Sequence, residues 1–558
     1  MAVFLTNFFT LLPPWFVKLA VDEIKAGTTV GALLLYGFWI VFTTVVQGYF
    51  RYRMRQTLIV ASRRVEYELR NDYFAKLLRL PKSFYNHFKT GEIISRANAD
   101  LEAVRNMVGP GIMQAANTVL TLIGSFAFMM ALSPKLSLLT LLPVPFLSIA
   151  VFRLGKSVHH KFNLIQEQYA VLSHRVQENL SGVRVVRAYV QEEAEIRAFE
   201  KISRELVART MGMVRVQALF YPVLYFLAGG SLLLVVWIGG QEVIAGKMTL
   251  GGLLAFLLYL LNLTWPAIAL GWVVGLYQQG KASLARLEEV FSTEEEPVGG
   301  GVEVGSREFR GEIEFRNLSF GYGGENHLVL NNINLTIPAG QTVALVGRTG
   351  SGKSTLVSLI PKIFPVKEGK LFIDGIDVNL YPTDRLRALI GFVPQEPFLF
   401  SATVGENLAF GLPAVEPELI EPMARLAGLE TDVLEFPRKY ETIVGERGIT
   451  LSGGQKQRAT LARALAVEPR ILILDDAFSS VDTETEERIL SGLRGVRQGR
   501  TVILISHRVS TVKDADCIVV LEEGEIVEQG THEELLARGG YYAELYQKQL
   551  LEEELEKI

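Results

Sequence analysis

Hydrophobic residues are distributed unevenly along this chain, and their pattern changes near residue 285. The first part contains long apolar windows without a charged residue, and a helix needs about 20 such residues to cross a bilayer core. We predict six transmembrane helices, in the windows 1–17, 26–50, 106–134, 136–152, 216–240 and 248–280. Window 136–152 is short and contains Pro143 and Pro145, so its ends are the least defined. The alternative, a water-soluble helical core, is disfavoured by the length of these windows.

The polar connections between these windows alternate between short and long. The long ones, residues 51–105 and 153–215, keep apolar residues at helical spacing. They predict helices that continue beyond the bilayer and reverse direction near residues 80–85 and 187–191. Residues 51–70 carry six arginines against two glutamates. Because excess arginine marks the cytoplasmic side of a membrane, we expect both long connections, both termini and the polar second half in the cytoplasm.

The first window has an alternative interpretation as a secretory signal peptide. It lacks a basic segment before its apolar run and an A-x-A-like cleavage site, so we expect a span that is retained. The charge-free windows also argue against an ion- or proton-coupled carrier, which needs ionisable groups within the membrane. We therefore expect a multi-pass integral protein, most simply of the cell membrane, with the lipid bilayer as one of its partners.

From about residue 311 onward, short apolar runs alternate with helical patterns, which is typical of an α/β domain. An apolar, β-branched run at 342–346 and a helical start at 356–360 flank a glycine-rich loop. The loop consists of Gly347, Arg348, Thr349, Gly350, Ser351, Gly352, Lys353, Ser354 and Thr355. Strand, glycine-rich loop and helix in this order indicate a phosphate-binding loop, whose backbone N–H groups surround phosphate oxygens. A chance glycine turn before a lysine is disfavoured by the flanking strand and helix.

This loop predicts a site for a nucleotide and Mg²⁺. Lys353 can reach the β- and γ-phosphates, and the Ser354 hydroxyl can bind Mg²⁺. A buried parallel strand is predicted at 471–475, and it ends in Asp475, which is suited to hold Mg²⁺ directly or through water. A second candidate anion site opens a helix and consists of Ser452, Gly453, Gly454 and Gln455. Because one domain has no evident need for two γ-phosphate sites, we infer that the second serves nucleotide held by another copy of the domain.

The composition of the chain restricts its possible partners and its possible cysteine chemistry. The chain has 558 residues with 49% hydrophobic and 21% charged, which fits an apolar half joined to a polar half. A net charge of −4 gives no basis for a nucleic-acid surface, so we expect no nucleic-acid partner. Cys517 is the only cysteine, which excludes disulfides within the chain and metal sites built from cysteine clusters.

The half from residue 311 onward resembles the nucleotide-binding domain of ABC transporters, because the family signature LSGGQ occurs at 451–455 between the phosphate loop and the acidic strand. Six spans with two long cytoplasmic connections resemble the exporter branch, so the resemblance covers nearly the whole chain. It implies an α-helical membrane domain with long cytoplasmic extensions, followed by an α/β P-loop NTPase domain of ABC type. We expect the membrane domain at 1–285, a linker at 286–310, the nucleotide-binding domain at 311–548 and an acidic helical tail at 549–558.

The resemblance also implies roles for individual residues. Tyr322 matches the aromatic residue that stacks on adenine, and Gln395 matches the glutamine that senses Mg²⁺ and the membrane domain. His507 matches the switch histidine near the γ-phosphate, although a lone histidine at a strand end is more often structural. Lys353, Gln395, His507 and Asp476 thus form the expected catalytic set. Four further segments resemble functional loops of the family. Segment 442–448 resembles the exporter cross-link loop, segment 479–482 resembles the loop that crosses to the partner domain, and segments 79–96 and 182–193 resemble the two coupling regions that seat on nucleotide-binding domains.

The chain departs from the family pattern at Asp476, where fully catalytic sites have a glutamate that polarises the attacking water. Aspartate is one methylene shorter, and a misplacement of about 1 Å can slow a reaction by about 100-fold. We therefore expect this site to bind ATP and hydrolyse it slowly, unless aspartate substitutes with modest loss.

The signature at 451–455 is intact, and in this family each signature completes the site of the paired domain. We expect a second half-transporter with a glutamate as the partner. The chain would then drive export of an apolar or amphipathic substrate by alternating access. The alternatives are a homodimer with two slow sites, or a membrane protein gated by ATP as a ligand; a DNA-repair or translation ATPase is disfavoured by the six spans.

Overall fold

The computed structural model describes residues 1–27, 29–140, 142–296, 309–322, 327–497 and 499–556. The chain divides into two compact units. The first comprises Met1–Ala75 and Ile93–Ser292, and the second comprises Lys76–Glu92 and Thr293–Ile558.

The first unit and the adjoining segment Lys76–Glu92 are built from α-helices. Those of the described residues are α1 (Ala2–Lys25), α2 (Val30–Arg79), α3 (Lys82–His87), α4 (Thr90–Ser95), α5 (Leu101–Asn106), α6 (Ile112–Leu132), α7 (Pro134–Leu139), α8 (Pro143–Ser181), α9 (Val183–Ala188), α10 (Glu192–Ile244), α11 (Leu250–Asn262) and α12 (Thr264–Ser292). Helices α2 and α10 are 50 and 53 residues long, far more than a bilayer core requires. The prediction that the polar connections continue the membrane helices is therefore confirmed; the short helix α3 overlaps the predicted reversal point at 80–85, and α9 ends within the one at 187–191.

Four helical segments of the described chain are long and apolar enough to cross a membrane: Ala2–Lys25, Val30–Arg79, Thr90–Leu132 and Leu250–Ser292. The apolar last part of α10, Gly229–Ile244, overlaps the end of the predicted window 216–240. The window 136–152 includes Leu141, which lies outside the described residues. Four spans are thus supported by length and composition, and the number of six stays a prediction.

Two π-helical turns, Arg96–Asp100 and Met107–Gly111, interrupt the segment Thr90–Leu132. Asp100 is buried, and its carboxylate accepts hydrogen bonds from Ser283 Oγ and Arg286 Nε of α12, both at 2.9 Å. Residues 286–292, which the sequence analysis assigned to the linker, therefore form the end of α12 and carry one of its anchors. The apolar pattern ends earlier than the helix because this last part of α12 is polar.

The strands and remaining helices belong to the second unit. Its strands are β1 (Ile313–Phe320), β2 (Leu330–Ile337), β3 (Thr342–Gly347), β4 (Leu371–Ile373), β5 (Ile376–Asp377), β6 (Ile390–Val393), β7 (Ile471–Asp475), β8 (Thr501–Ile505), β9 (Cys517–Glu522) and β10 (Glu525–Gly530). Its α-helices after β3 are α13 (Lys353–Leu359), α14 (Thr383–Ala388), α15 (Val404–Leu408), α16 (Pro417–Leu426), α17 (Glu430–Glu435), α18 (Gly453–Ala466), α19 (Thr483–Arg497), α20 (Val509–Val512), α21 (His532–Arg538) and α22 (Tyr541–Glu556). The α-helical and α/β fold class expected from the sequence is confirmed.

The larger sheet of this unit has the strand order β10-β9-β3-β8-β7-β6, and only β10 runs antiparallel to its neighbour. Every residue of β3, β7 and β8 is buried, as expected for strands covered on both faces. Successive side chains of β3 pack alternately into two separate hydrophobic cores. Ala344 and Val346 belong to one core, and Val343 and Leu345 belong to the other. The parallel strands β3, β8, β7 and β6 are neighbours, so the loops after them meet at one edge, where α/β sheets bind ligands.

Candidate functional site

A cavity of about 260 Å³ lies at this edge of the sheet. The segments that line it are separated by up to about 180 positions along the chain, and the sheet order brings them together. Its lining consists of Tyr322, Val329, Thr349, Gly350, Gly352, Lys353, Ser354, Thr355, Gln395, Asp475, Asp476, Ile505 and His507. The sequence analysis assigned all of these residues except Val329 and Ile505 to one nucleotide site, and the structure places them side by side.

The glycine-rich loop between β3 and α13 has the backbone conformation that its sequence predicts. Gly350 and Gly352 have φ values of +84° and +98°, which side-chain-bearing residues rarely adopt. A Cβ atom on Gly352 would also lie 2.7 Å from Leu330 Cδ2. The loop therefore depends on glycine at this position for both its conformation and its packing.

Lys353 is buried, and its ammonium is held by the loop itself. Nζ donates hydrogen bonds to the carbonyl oxygens of Gly347 at 2.9 Å and Arg348 at 2.8 Å, and to Ser351 Oγ at 3.3 Å. Burial lowers the pKa of Lys353, and the charges of Asp475 and Asp476 oppose that shift. Gly347, Arg348 and Ser351 thus orient the lysine and do not line the cavity. An anionic phosphate would supply the charge partner that these neutral oxygens do not.

Ser354 and Asp475 form a pair of oxygen donors at the bottom of the cavity. Ser354 Oγ donates a hydrogen bond to Asp475 Oδ1 at 3.0 Å. Burial raises the pKa of the Asp475 carboxyl; the charge of Asp476 adds to this rise, while the Ser354 hydrogen bond and the Lys353 charge oppose it. A divalent cation would relieve the buried charge, and hydroxyl and carboxylate oxygens are the ligands that Mg²⁺ prefers. These residues therefore fit Mg²⁺ bound jointly with phosphate oxygens.

Asp476 differs from Asp475 in how its backbone is held. Its φ is +50°, in the left-handed region that non-glycine residues seldom occupy. Its N–H donates to the carbonyl oxygen of Ile505 at 3.0 Å, and its own carbonyl oxygen accepts from Gln457 Nε2 at 3.4 Å. The backbone of Asp476 is thereby fixed from the β8 side and from α18.

Gln457 is a residue to which the sequence analysis gave no role. It is 2% exposed, and beyond Asp476 it donates to Ser479 Oγ at 2.7 Å and accepts from the Ser480 N–H at 2.9 Å. One side chain of α18 therefore shapes the loop at 476–480. The only sequence signal was its position two residues after Gln455, which does not distinguish it from a surface glutamine.

Tyr322, Gln395 and His507 lie at the rim of the cavity. The Tyr322 hydroxyl lies 2.8 Å from Thr355 Oγ1, and its ring packs edge-on against Phe364 with ring centres 5.0 Å apart. Tyr322 remains 55% exposed, which leaves ring surface for a ligand. Gln395 follows β6 and His507 follows β8, and both are exposed.

The signature residues lie elsewhere. Ser452 caps α18: its Oγ accepts from the Gln455 N–H at 3.2 Å, and Gln455 Oε1 accepts from the Ser452 N–H at 3.0 Å. Gln455 Nε2 also donates to Asp432 at 2.8 Å. Ser452, Gly453, Gly454 and Gln455 are absent from the lining of the cavity that holds Lys353 and Asp475. The structure thus separates the two anion sites that the sequence predicts.

Comparison with known proteins agrees with this architecture. Residues 1–267 match the family model for the ABC transporter transmembrane region, and residues 330–479 match the ABC transporter model. The multidrug resistance-like ATP-binding protein MdlA of Escherichia coli (strain K12) is 37% identical over 548 residues, which cover 98% of this chain and 92% of that protein. An ATP-dependent lipid A-core flippase of Desulfotalea psychrophila is 34% identical over 535 residues, covering 96% of this chain and 93% of the flippase.

A solved structure of a bacterial Atm1-family ABC exporter with ATP bound aligns with a TM-score of 0.80 at 28% identity, covering 98% of this chain and 96% of that one. Fold and site therefore define a membrane protein with a fused ATP-binding domain. The chain belongs to the ABC transporter family and has the exporter architecture. The expected ATPase activity coupled to transport is confirmed at this level.

Proposed function

We propose that this half-transporter works in a pair with a different half-transporter, and that its own site holds ATP but hydrolyses it slowly. In this arrangement Ser452, Gly453, Gly454 and Gln455 complete the partner's competent site. Their absence from the lining of the chain's own cavity supports this division of roles. The proposal rests above all on one observation, the short carboxylate of Asp476 on a fixed backbone.

The hydrogen bonds of Asp476 argue against compensation for its missing methylene. To bring the carboxylate about 1 Å closer to a γ-phosphate, the backbone would have to move toward the cavity. Such a shift would strain the bonds to Ile505 and Gln457 and the left-handed conformation. Since mispositioning on this scale slows chemistry by about 100-fold, we expect slow hydrolysis with intact binding.

Binding would use the remaining side chains of the cavity. Tyr322 would stack on adenine, and Lys353 together with the backbone of Thr349, Gly350 and Gly352 would hold the phosphates. Ser354 and Asp475 would hold Mg²⁺, with Gln395 completing its surroundings; the ion neutralises charge on the β- and γ-phosphates when bound. His507 would contact the γ-phosphate and report its presence to the rest of the domain.

The cargo is proposed as an apolar or amphipathic molecule, moved by alternating access of the membrane helices. One relative is named for multidrug resistance and another for flipping lipid A-core, and both kinds of cargo combine apolar and polar parts. Exposed aromatic side chains on the membrane helices, among them Trp237, Trp265 and Trp272, support an apolar surrounding. We propose that the nucleotide-binding domain and both termini lie in the cytoplasm, as the arginine excess in residues 51–70 indicates.

The test is the steady-state ATPase rate of the purified full chain, measured alone and with a co-encoded half-transporter. We expect low activity alone and high activity in the pair, with little loss in the pair when Asp476→Asn is introduced in this chain. Asp384→Asn, on the exposed surface of the same domain, is the matched control for the loss of one carboxylate. Full activity of the chain alone, abolished by Asp476→Asn, would contradict the proposal and favour a competent homodimer.

A further inference from the structure

The last helix of the chain, α22, contacts the loop that carries His507. Gln549 Nε2 donates a hydrogen bond to the His507 carbonyl oxygen at 2.5 Å. Gln549 Oε1 accepts one from the Val509 N–H at 2.7 Å. The nitrogen and the oxygen of the Gln549 carboxamide thus both form hydrogen bonds with the backbone of the same loop, at the residues on either side of Arg508.

Arg508 holds this loop from the opposite side. Its Nη1 donates to the Val481 carbonyl oxygen at 3.2 Å and to Glu486 Oε2 at 2.5 Å, and Glu486 is 2% exposed. The Thr511 hydroxyl also donates to Glu486. The segment 507–511 is therefore fastened to the region of α19 by Arg508 and Thr511, and to α22 by Gln549.

Helix α22 also lies beside the phosphate loop. The Arg348 guanidinium lies 5.9 Å from the centre of the Tyr541 ring, at the first residue of α22. The buried Tyr542, the next residue, shares a 2.7 Å hydrogen bond with His532 of α21, which anchors the helix to its own domain. The helix therefore contacts the phosphate loop near its start and the His507 loop at Gln549.

We propose that Gln549 is a positioning residue for His507. The imidazole of His507 is exposed in the cavity, and without a fixed backbone its direction would be free to vary. The two hydrogen bonds of Gln549 fix that backbone, so α22 sets how well His507 meets a γ-phosphate. This inference rests on the proposed contact between His507 and the γ-phosphate, but it does not depend on Asp476 or on the identity of the partner.

The first test uses hydrogen exchange of the full chain without nucleotide. Gln549→Met keeps the length of the side chain and removes both hydrogen bonds, which are worth roughly 0.5–1.5 kcal/mol each. Peptides that contain Val509 should exchange about 2- to 10-fold faster in this variant. Gln547→Met, at an exposed position of the same helix, is the matched control and should leave the exchange unchanged. Unchanged exchange in Gln549→Met would overturn the proposal.

The second test asks whether the effect passes through His507. With Mg²⁺ present, labelled ATP is released from the chain into excess unlabelled ATP, and its release rate is compared in a double-mutant cycle. We expect Gln549→Met to speed release several-fold in the wild-type background and to have no further effect beside His507→Ala. Gln549→Glu, which keeps an acceptor for Val509 but has no donor for His507, should be intermediate.

Equal effects of Gln549→Met in both backgrounds would assign it a general structural role and overturn the proposal. If His507→Ala itself leaves ATP release unchanged, the proposed contact of His507 with the γ-phosphate fails, and the role of Gln549 in ATP binding fails with it. If His507→Ala speeds release and Gln549→Met does not, only the positioning role is wrong.

Discussion

Asp475 and Asp476 are adjacent, yet their surroundings give them different tasks. Asp475 is 4% exposed and bonded to Ser354, and burial raises its pKa above the ordinary value. A raised folded-state pKa means that the folded protein binds the proton more tightly than the unfolded chain does. The nucleotide-free fold therefore loses stability as the pH rises from the ordinary carboxyl pKa through the raised one.

Asp475→Asn should remove this cost, because an amide is neutral at every pH and still accepts the Ser354 hydrogen bond. We expect a higher melting temperature without nucleotide near neutral pH, by roughly 2–4 °C for each kcal/mol relieved. The difference in melting temperature between Asp475→Asn and the wild type should shrink as the pH is lowered toward the ordinary carboxyl pKa. In the same variant, stabilisation by ATP should no longer depend on Mg²⁺. A lower melting temperature at neutral pH, or retained dependence on Mg²⁺, would contradict the assigned role.

Tyr322 provides a second test at the scale of a single residue. Base–aromatic stacking is worth roughly 1–3 kcal/mol, so Tyr322→Ala should weaken ATP binding about 5- to 150-fold in an equilibrium titration. Tyr322→Phe keeps the ring and loses only the hydrogen bond to Thr355, and should bind within about threefold of wild type. If the phenylalanine variant binds as weakly as the alanine variant, the hydroxyl rather than the ring carries the interaction.

At the scale of elements, α18 links the signature to the loop after β7. The helix begins next to Ser452. Its buried Gln457 forms hydrogen bonds with the carbonyl oxygen of Asp476, the hydroxyl of Ser479 and the N–H of Ser480. The signature and the loop 476–480 should therefore move together. A change in one nucleotide site would then be felt by the other through a single helix.

Gln457→Ala should free the loop 476–480, since it leaves buried polar groups without their partner at a cost of roughly 1–3 kcal/mol. We expect faster hydrogen exchange across residues 476–482 and a lower ATPase rate in the paired transporter. Gln457→Glu keeps the acceptor for the Ser480 N–H and loses the donors, so its effect should be smaller. Unaltered exchange in the alanine variant would show that other contacts hold the loop.

Element boundaries were only partly predictable. The strand before the phosphate loop and the strand ending at Asp475 were expected from their apolar runs, and both appear as β3 and β7. The helix was expected to continue through 281–291, and α12 ends at Ser292; the domain boundary at 285 lies within the helix because its polar end resembles a linker in sequence. The two π-helical turns near Asp100 were not expected, since they depend on packing against α12 and leave no periodic signal.

At the scale of the molecule, the fold class could be predicted from the apolar helical windows, the alternation of strand and helix patterns, and the phosphate-binding loop. The arrangement of the site residues could be seen only once the order of the strands in the sheet was known. The sequence indicated Gln395, Asp475 and His507 separately, and only the adjacency of β6, β7 and β8 places them around one cavity. Gln549 could not be found this way, because it lies 42 positions from His507 and meets it through backbone atoms. A hydrogen bond to a backbone atom places little constraint on the type of the contacted residue, so the sequence does not indicate it.

The orientation in the membrane can be tested on the whole chain. Cys517 is the only cysteine, so Cys517→Ser combined with Gln547→Cys gives a single reactive thiol at an exposed position of α22. A membrane-impermeant maleimide should label this variant in inside-out vesicles and leave it unlabelled in right-side-out vesicles. Labelling only in right-side-out vesicles would place the nucleotide-binding domain on the opposite side and refute the orientation inferred from arginine.

Asp476 is the residue to which we attribute the slow hydrolysis of ATP at this site. The most direct measurement is single-turnover hydrolysis of ATP in the paired transporter, compared between wild type and Asp476→Glu in this chain, with the catalytic glutamate of the partner replaced by glutamine so that only the site of this chain hydrolyses ATP. We predict unchanged ATP affinity and a rate increase on the order of 100-fold in the variant, because the added methylene restores the reach of the carboxylate. Rapid hydrolysis by the wild-type site, or no gain in Asp476→Glu, would contradict the central claim.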